Sequence, residues 1–162
     1  MTKREVPALF LAMTMALFVQ PGAVAGQTLE AWLGTWTLNV SKSTYTPGPA
    51  PYKRATYRIE PWNDGVKVTY DMVHPRGATT HLEWTGKFDG TAYTVQGIDE
   101  FVTYAYAPVP GGGYEVTVRI DDRVAAISTV TLSPDGRSLT TTTAGRDSRG
   151  RNVTTSTVYE KQ

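Results

Sequence analysis

The strongest constraint on the fold of this chain is the alternation of apolar and polar residues in short runs that end at turn residues. In residues 66–73 the first, third, fifth and seventh positions are Val, Val, Tyr and Met, and Lys, Thr and Asp lie between them. Successive side chains of a strand point to opposite faces of a sheet, so this period of two predicts a half-buried strand. The preceding Asn63-Asp64-Gly65 predicts a hairpin, because these residues accept the positive φ angles of tight turns.

Comparable runs follow along the rest of the chain, separated by turn sequences such as Asp89-Gly90. Residues 28–33 form the one predicted helical turn, just before Gly34. Residues 41–53 contain three prolines, and because proline donates no backbone hydrogen bond, we predict a loop there. The predicted strands cover residues 36–40, 54–61, 66–73, 79–88, 93–95, 101–107, 114–120, 124–132, 138–144 and 152–159.

Nine or ten short strands joined mainly by tight turns predict an antiparallel meander, because a hairpin places consecutive strands side by side. A twisted sheet of this many strands tends to curl or split, and closing it removes the edge strands that invite aggregation. We therefore predict an all-β fold, a single antiparallel up-and-down barrel of about 8–10 strands with a short N-terminal helical turn. A two-layer sandwich is the alternative, although its crossovers need longer connections.

The first 25 residues have the three-part layout of a cleavable signal peptide. Lys3 and Arg4 give a positive start, residues 6–19 are mostly apolar, and Ala23 and Ala25 are the small residues expected before a cut at Gly26. The apolar run is shorter than the roughly 18 residues that a spanning helix needs, so an uncleaved anchor is the less favoured alternative. We predict a signal peptide at 1–25, a barrel domain at 26–162, and export to the periplasm or the medium.

Charge and cysteine content exclude several classes of function. The chain has 16 Lys plus Arg and 15 Asp plus Glu, and loss of Lys3, Arg4 and Glu5 with the signal peptide would leave no net charge. The chain therefore lacks the excess of basic residues that would favour nucleic acid as a partner. Because the chain contains no Cys, a thiol nucleophile, a disulfide and a lipid-modified cysteine are excluded. We expect no cofactor, no metal and no membrane span after cleavage, and the oligomeric state stays open.

The start of the first strand carries a recognisable pattern. The chain reads Gly34-Thr35-Trp36 at this point, Lys42 and Ser43 follow, and its last strand reads Val158-Tyr159-Glu160-Lys161. A Gly-x-Trp in this place resembles the signature of the lipocalins and other calycins. Together these features are similar to those of exported bacterial lipocalin-like proteins.

In lipocalins the Trp side chain plugs the closed end of the barrel, so the resemblance implies structural roles for Gly34 and Trp36. Lipocalins also place an Arg of a late strand over this Trp. Three cations of this chain are candidates for that position, namely Arg146, Arg151 and Lys161.

A barrel of about eight strands leaves an interior just wide enough for packed side chains or for one small ligand. The inward face predicted for residues 66–73 and 101–107 is apolar and aromatic, which suits an apolar or aromatic small molecule. Arg119 could hold an anionic head group, but an exposed place on the solvent face of its strand is the alternative. The candidate ligand-binding residues are Val68, Tyr70, Met72, Tyr104, Tyr106 and Arg119.

Candidates for catalysis are few, because no nucleophile elbow, phosphate-binding loop or His-Glu-x-x-His sequence occurs. His81 and Glu83 are two residues apart and would share one strand face, where the carboxylate could tune the imidazole for proton transfer. The alternative places Leu82 and Trp84 in the core and this pair in water. A metal site that adds His74 to the pair lacks a further ligand at metal-like spacing.

Three functions are therefore open. The first is an exported protein that binds a small ligand in an apolar barrel pocket. The second is a structural or interaction barrel with a packed interior. The third, less favoured because no catalytic sequence is present, is a metal-free acid–base enzyme of the isomerase or cyclase type, which needs His81 or a carboxylate inside the barrel. Inward-pointing Leu82 and Trp84 would exclude this arrangement.

Overall fold

The computed structural model describes residues 27–146 and 150–162, and the predicted signal peptide at 1–25 lies outside these residues. One helical turn and ten strands make up the described chain. They are α1 (Leu29–Trp32), β1 (Gly34–Thr46), β2 (Arg54–Trp62), β3 (Gly65–Val73), β4 (Thr79–Gly86), β5 (Ala92–Gln96), β6 (Val102–Pro108), β7 (Tyr114–Ile120), β8 (Arg123–Leu132), β9 (Ser138–Arg146) and β10 (Asn152–Lys161).

The ten strands form one closed antiparallel barrel in which each strand pairs with the next one along the chain. The barrel closes where β1 pairs with β10, in a register that sets Trp36 opposite Lys161 and Thr46 opposite Thr154. The prediction of an all-β, up-and-down barrel with a short helical turn is confirmed, and the sandwich is not formed.

The first strand is longer than predicted. Residues 41–46 were expected to belong to the proline-containing loop, but they continue β1 and pair with β10 after an irregularity between Asn39 and Thr44. The prediction was wrong because the first proline of the segment is Pro47, so residues 41–46 keep the backbone donors that a ladder requires.

The connections between strands alternate between the two ends of the barrel, because all neighbouring strands are antiparallel. We call one end the closed end. It holds α1 and the connections at residues 63–64, 87–91, 109–113 and 133–137. We call the other the open end. It holds the described connections at residues 47–53, 74–78, 97–101 and 121–122.

The half of the barrel next to the closed end is densely packed. Trp36, Val68 and Trp84 have no exposed surface, and Ile59 is 1% exposed. Val68 and Trp84 are direct partners across β3 and β4, so their side chains share the inner face of the sheet. Apolar residues at alternate positions of several strands therefore fill this half, as the period of two predicts.

Trp36 lies at the bottom of this core, and two contacts hold its side chain. Its indole N–H donates to the Trp32 carbonyl oxygen at 3.0 Å, which ties α1 to the barrel. Lys161 Nζ lies 4.9 Å from the centre of the Trp36 ring and donates to the Ala31 carbonyl oxygen at 2.9 Å. Gly34 has a φ of +129°, and a Cβ there would lie only 3.0 Å from Lys161 Cε. Glycine is therefore favoured at this position of β1, where the backbone passes the Lys161 side chain.

Candidate functional site

A cavity of about 280 Å³ lies in the half of the barrel next to the open end, and it is partly open to solvent. Every strand except β5 contributes to its lining. The lining residues are Tyr45, Pro51, Tyr52, Tyr57, Tyr70, Met72, Leu82, Tyr104, Tyr106, Val116, Val118, Ser128, Val130, Leu139, Thr141, Thr143, Thr155, Thr157 and Tyr159.

Three tyrosine hydroxyls meet in the lining and form what we call the tyrosine network. Tyr106 Oη is 2.5 Å from Tyr70 Oη and 3.2 Å from Tyr57 Oη. The Tyr57 and Tyr70 rings pack with centroids 4.7 Å apart. The Tyr106 ring is 4.9 Å from the Trp84 ring, so the network rests directly on the packed core.

Burial raises the pKa of all three network tyrosines, because a phenolate loses more hydration than a phenol does on entering the protein interior. The three hydroxyls are therefore neutral at physiological pH. A neutral phenol both donates and accepts hydrogen bonds, so the network can adapt its direction to a donor or an acceptor of a ligand.

A second part of the lining consists of five short hydroxyl side chains on β8, β9 and β10, which we call the threonine wall. Ser128 Oγ and Thr143 Oγ1 are 2.8 Å apart and bond across the β8–β9 pair. The members of the wall are Ser128, Thr141, Thr143, Thr155 and Thr157. They occupy alternate positions of their strands, which is why all of them reach the inner face.

The 47–53 connection borders the cavity at the open end. Pro51 and Tyr52 belong to its lining, and Lys53 donates its backbone N–H to the Val73 carbonyl oxygen at 2.8 Å. The Tyr52 ring packs edge-on against His74 at 5.1 Å between centroids. These contacts fasten the connection to the β3–β4 turn beside the cavity.

Tyr45, at the open end of β1, has a buried hydroxyl with no hydrogen-bond partner among the described residues. Buried polar groups in proteins are nearly always hydrogen-bonded, and an unsatisfied hydroxyl is an exception that needs a reason. Tyr45 is also part of the cavity lining, so this unsatisfied hydroxyl belongs to a residue at the wall of the cavity.

The cavity lining contains no Asp, Glu, Lys, Arg or His among the described residues. Burial raises the pKa of Tyr104 to about 12 and also raises the pKa of Tyr159. The lining is therefore uncharged at neutral pH. It combines aromatic and aliphatic surface, which makes up most of the lining, with the side chains of twelve hydroxyl-bearing residues.

Four of the six predicted ligand-binding residues line the cavity, namely Tyr70, Met72, Tyr104 and Tyr106. Val68 does not, because it lies two residues closer to the closed end and is fully enclosed beside Trp84. Arg119 is also absent from the described lining, because its neighbour Val118 is the β7 residue that faces the cavity and adjacent strand residues point to opposite faces.

His81 and Glu83 lie on the outside of the barrel, not in the cavity. The His81 side chain is 56% exposed, whereas Leu82 and Trp84 on the same strand are buried. His81 Nδ1 is 2.7 Å from Asp71 Oδ1, and its Nε2 is 3.5 Å from Glu83 Oε1. This placement agrees with the water-facing alternative and excludes the arrangement in which the pair works inside the barrel.

Sequence reasoning missed the threonine wall. The predicted strands 138–144 and 152–159 contain its β9 and β10 members, but the predicted ligand-binding residues come only from β3, β6 and β7. Residues 140–143 are all Thr, so their own pattern does not show which of them face inward. Leu139 was the signal that could have located the wall, because an apolar residue is expected to face the core and residues 141 and 143 share its side of the strand. Leu139 is indeed 1% exposed.

The described residues contain no cluster of three or more His, Asp or Glu side chains that could hold a metal ion. His74 bonds instead to Thr80 Oγ1 at 3.0 Å through its Nε2. Within the same part of the chain, no helix is long and apolar enough to cross a membrane.

The sequence matches no protein-family model and no curated protein. Among solved structures, the chain is similar to the crystal structure of the zebrafish ileal bile acid-binding protein complexed with cholic acid. The two share 12% sequence identity at a TM-score of 0.48, over 82% of this chain and 99% of that one.

Proposed function

We propose that this protein binds one small molecule in the cavity at the open end of the barrel. The observation that carries the proposal is the contrast between the two halves of the same interior. One half is packed around Trp36 and Trp84, and the other holds about 280 Å³ of space. Protein interiors are close-packed with few voids larger than a water molecule, so a space of this size in an otherwise filled barrel supports a binding role.

The size of the cavity indicates a compact ligand. Small-molecule pockets commonly have volumes of about 300–1,000 Å³, and this cavity lies at the lower limit of that range. Aromatic faces such as those of Tyr57 and Tyr70 can pack on a ring of the ligand. A molecule of one or two rings therefore suits the space better than a long acyl chain.

Binding is favoured over catalysis by the placement of the titratable groups. An acid–base enzyme needs a titratable group within reach of its substrate, most often an imidazole, a carboxylate or an amine and sometimes a tyrosine. The described cavity lining offers only tyrosines, and burial raises the pKa of those in the network away from the neutral range in which acid–base catalysis works best. His81 and Glu83 lie outside the barrel. A purely structural barrel is disfavoured because its interior would be filled from end to end.

The proposal includes export. The positive start, apolar run and Ala23-Val24-Ala25 of the first 25 residues support a signal peptide at 1–25 and a barrel domain at 26–162 that is periplasmic or secreted. The Gly34-x-Trp36 pattern, with Lys161 over the Trp36 ring, supports a relationship to lipocalin-like proteins. Amino-terminal sequencing of the full chain expressed in an exporting bacterial host should give Gly26 as the first residue. A product that starts at Met1 would contradict export.

Ligand binding can be tested with the neutral fluorescent dye N-phenyl-1-naphthylamine. The wild-type protein should enhance the dye's fluorescence with a stoichiometry of one. Val118→Phe places a larger side chain at the cavity lining and should weaken dye binding by at least about tenfold.

Val124→Phe is the matched control, because Val124 is 55% exposed on β8 and absent from the described lining. This variant should bind the dye as the wild type does. Native mass spectrometry of the protein purified without denaturation would add the mass of any molecule retained from the host. Failure of the folded wild-type protein to bind the dye, or equal binding by Val118→Phe, would contradict the proposed site.

A further inference from the structure

We infer that the cavity selects uncharged ring compounds that bear a hydroxyl or carbonyl group, and that it rejects the corresponding carboxylates. This inference rests on the proposed function and narrows it to a chemical class. It follows from three properties of the lining, namely the absence of charge, the number of hydroxyl groups, and one buried hydroxyl without a partner.

The first property concerns charge. A buried carboxylate is stable only when a cation or several hydrogen-bond donors replace its hydration. The described lining contains no Lys, Arg or His, and Arg119, the predicted anchor for an anionic group, is not part of it. A carboxylate entering this cavity could accept hydrogen bonds from neutral hydroxyls but would find no counter-charge for its buried negative charge, whereas an ester or an alcohol carries no charge to compensate.

The second property concerns hydrogen bonding. The tyrosine network presents three neutral phenol groups joined through Tyr106, and the threonine wall presents hydroxyls on the β8, β9 and β10 side. A purely apolar ligand would leave the remaining hydrogen-bonding capacity of these hydroxyls unused, which is unfavourable. A ring compound with one or two oxygen atoms can bond to them and still pack against the apolar residues of the same lining.

The third property concerns position. The Tyr45 hydroxyl is buried and has no partner among the described residues, while Tyr57 and Tyr70 each already bond to Tyr106. Tyr45 lies near the open end of β1, opposite Thr155 of β10. We assign Tyr45 as the residue that binds the polar group of the ligand on this side of the cavity, through a side-chain rotation that turns its buried hydroxyl toward the ligand.

Four probes with the same naphthalene ring test the selection. They are naphthalene, 2-naphthol, methyl 2-naphthoate and the 2-naphthoate anion, each titrated at pH 7.4 by displacement of N-phenyl-1-naphthylamine. The two neutral polar probes should bind at least about 30-fold more tightly than 2-naphthoate, because the anion must be buried without a partner. They should also bind more tightly than naphthalene. Equal or tighter binding of 2-naphthoate would overturn the inference.

A designed cation should reverse the preference. Met72→Arg places a guanidinium in the lining, and we expect it to raise the affinity for 2-naphthoate by at least about tenfold while weakening methyl 2-naphthoate. Val124→Arg, on the outside of β8, should change neither affinity. If a folded Met72→Arg protein still binds 2-naphthoate no better than the wild type does, charge is not the basis of selection and the inference is wrong.

Tyr45→Phe tests the assigned hydroxyl. It should weaken 2-naphthol by about 2- to 10-fold, the range expected for one hydrogen bond, and leave naphthalene unchanged. Tyr93→Phe is the matched control, because Tyr93 packs on Trp84 near the closed end and is not in the described lining. An unchanged affinity of Tyr45→Phe for 2-naphthol would remove Tyr45 from the site.

The failures of the two proposals are distinguishable. If neither the dye nor any naphthalene probe binds the folded protein, the proposed function itself is wrong. If all probes bind and 2-naphthoate binds as well as the neutral probes, the cavity is a binding site but does not select by charge.

Discussion

Tyr106 is the residue at which the packed core and the cavity meet. Its ring packs on Trp84, and its hydroxyl contacts those of Tyr57 and Tyr70. Tyr57 is buried and Tyr70 is half-buried, and the hydroxyl of Tyr106 gives each of them a hydrogen-bond partner inside the barrel. One side chain therefore contributes both to stability and to the chemistry of the cavity lining.

Tyr106→Phe should lower the free energy of unfolding by about 1–3 kcal/mol, because it leaves the Tyr57 and Tyr70 hydroxyls without their shared partner. Urea unfolding followed by tryptophan fluorescence measures the change. Tyr93→Phe removes a hydroxyl outside the network and should stay within about 0.5 kcal/mol of the wild type. Equal losses for the two variants would show that the network does not stabilise the fold.

On the outer surface, His81 should titrate above its usual pKa of 6.5, because of its hydrogen bond to Asp71 and, to a smaller extent, its contact with Glu83. A raised folded-state pKa means that protonated His81 stabilises the fold below pH 6.5, and that this stabilisation is lost as the pH rises through the folded-state pKa. The effect is small because the pair is exposed and screened by solvent.

The pKa of His81 can be measured by NMR titration of its ring protons, with His81→Gln used to assign the signal. Asp71→Asn should lower this pKa relative to the wild type, because it removes the charge of the nearest acceptor. Asp64→Asn is the control, since Asp64 pairs with Lys87 at the closed end. A His81 pKa that is the same in all three proteins would contradict the pairing.

At the scale of the elements, the barrel depends on glycines in the connections, where the backbone passes close to a neighbouring strand. Gly113, directly before β7, has a φ of +97°, and a Cβ there would overlap the Val130 carbonyl oxygen of β8. Its neighbour Gly112 has a similar φ of +94° but faces open space. A comparison of substitutions at Gly112 and Gly113 therefore separates the destabilisation due to a positive φ from the destabilisation due to the contact with Val130.

Gly113→Ala should lower the free energy of unfolding by at least about 1 kcal/mol more than Gly112→Ala, because only the former forces β7 away from β8. Both variants share the backbone strain of a non-glycine residue at positive φ. Chemical denaturation of the two proteins under the same conditions measures the difference. Equal destabilisation would mean that the strand pair accommodates the added methyl group.

At the scale of the whole molecule, the ends of the described chain meet where the barrel closes. Lys161, the last residue of β10, contacts the Trp36 ring of β1 and bonds to Ala31 of α1. One side chain therefore ties the last strand, the first strand and the helical turn together beneath the packed core. The open end has its own fastening, the 47–53 connection held at Val73 and His74.

Lys161→Met should lower the free energy of unfolding by about 1–2 kcal/mol, because it removes a partly desolvated cation–π contact together with a hydrogen bond. Lys42→Met is the matched control, since Lys42 forms an exposed ion pair with Glu160 and should cost less than about 1 kcal/mol. Calorimetric unfolding of both variants measures the effect. A smaller loss for Lys161→Met than for Lys42→Met would contradict a closing role for Lys161.

Ten strands, their order and the faces of the clearest ones could be predicted from the sequence, apart from the extension of β1 through residues 41–46. Alternation gave the inward direction of Tyr70 and Met72, and turn residues gave the hairpins, because both depend on local geometry that neighbouring residues dictate. The same reasoning offered Leu82 and Trp84 as the inward pair of β4, although it left His81 and Glu83 open as an alternative. Closure of the barrel also followed, since a long meander has few other ways to remove its edges.

The level along each strand at which the packed core ends and the cavity begins could not be predicted from the sequence and is seen only in the closed barrel. Val68 and Tyr70 share one face of β3, yet Val68 is enclosed beside Trp84 and Tyr70 lines the cavity. That boundary depends on which side chains of nine strands meet at one level of the barrel, a sum over residues distant in sequence. For the same reason, the uncharged lining and the unpartnered hydroxyl of Tyr45 are properties of the closed barrel rather than of any single segment.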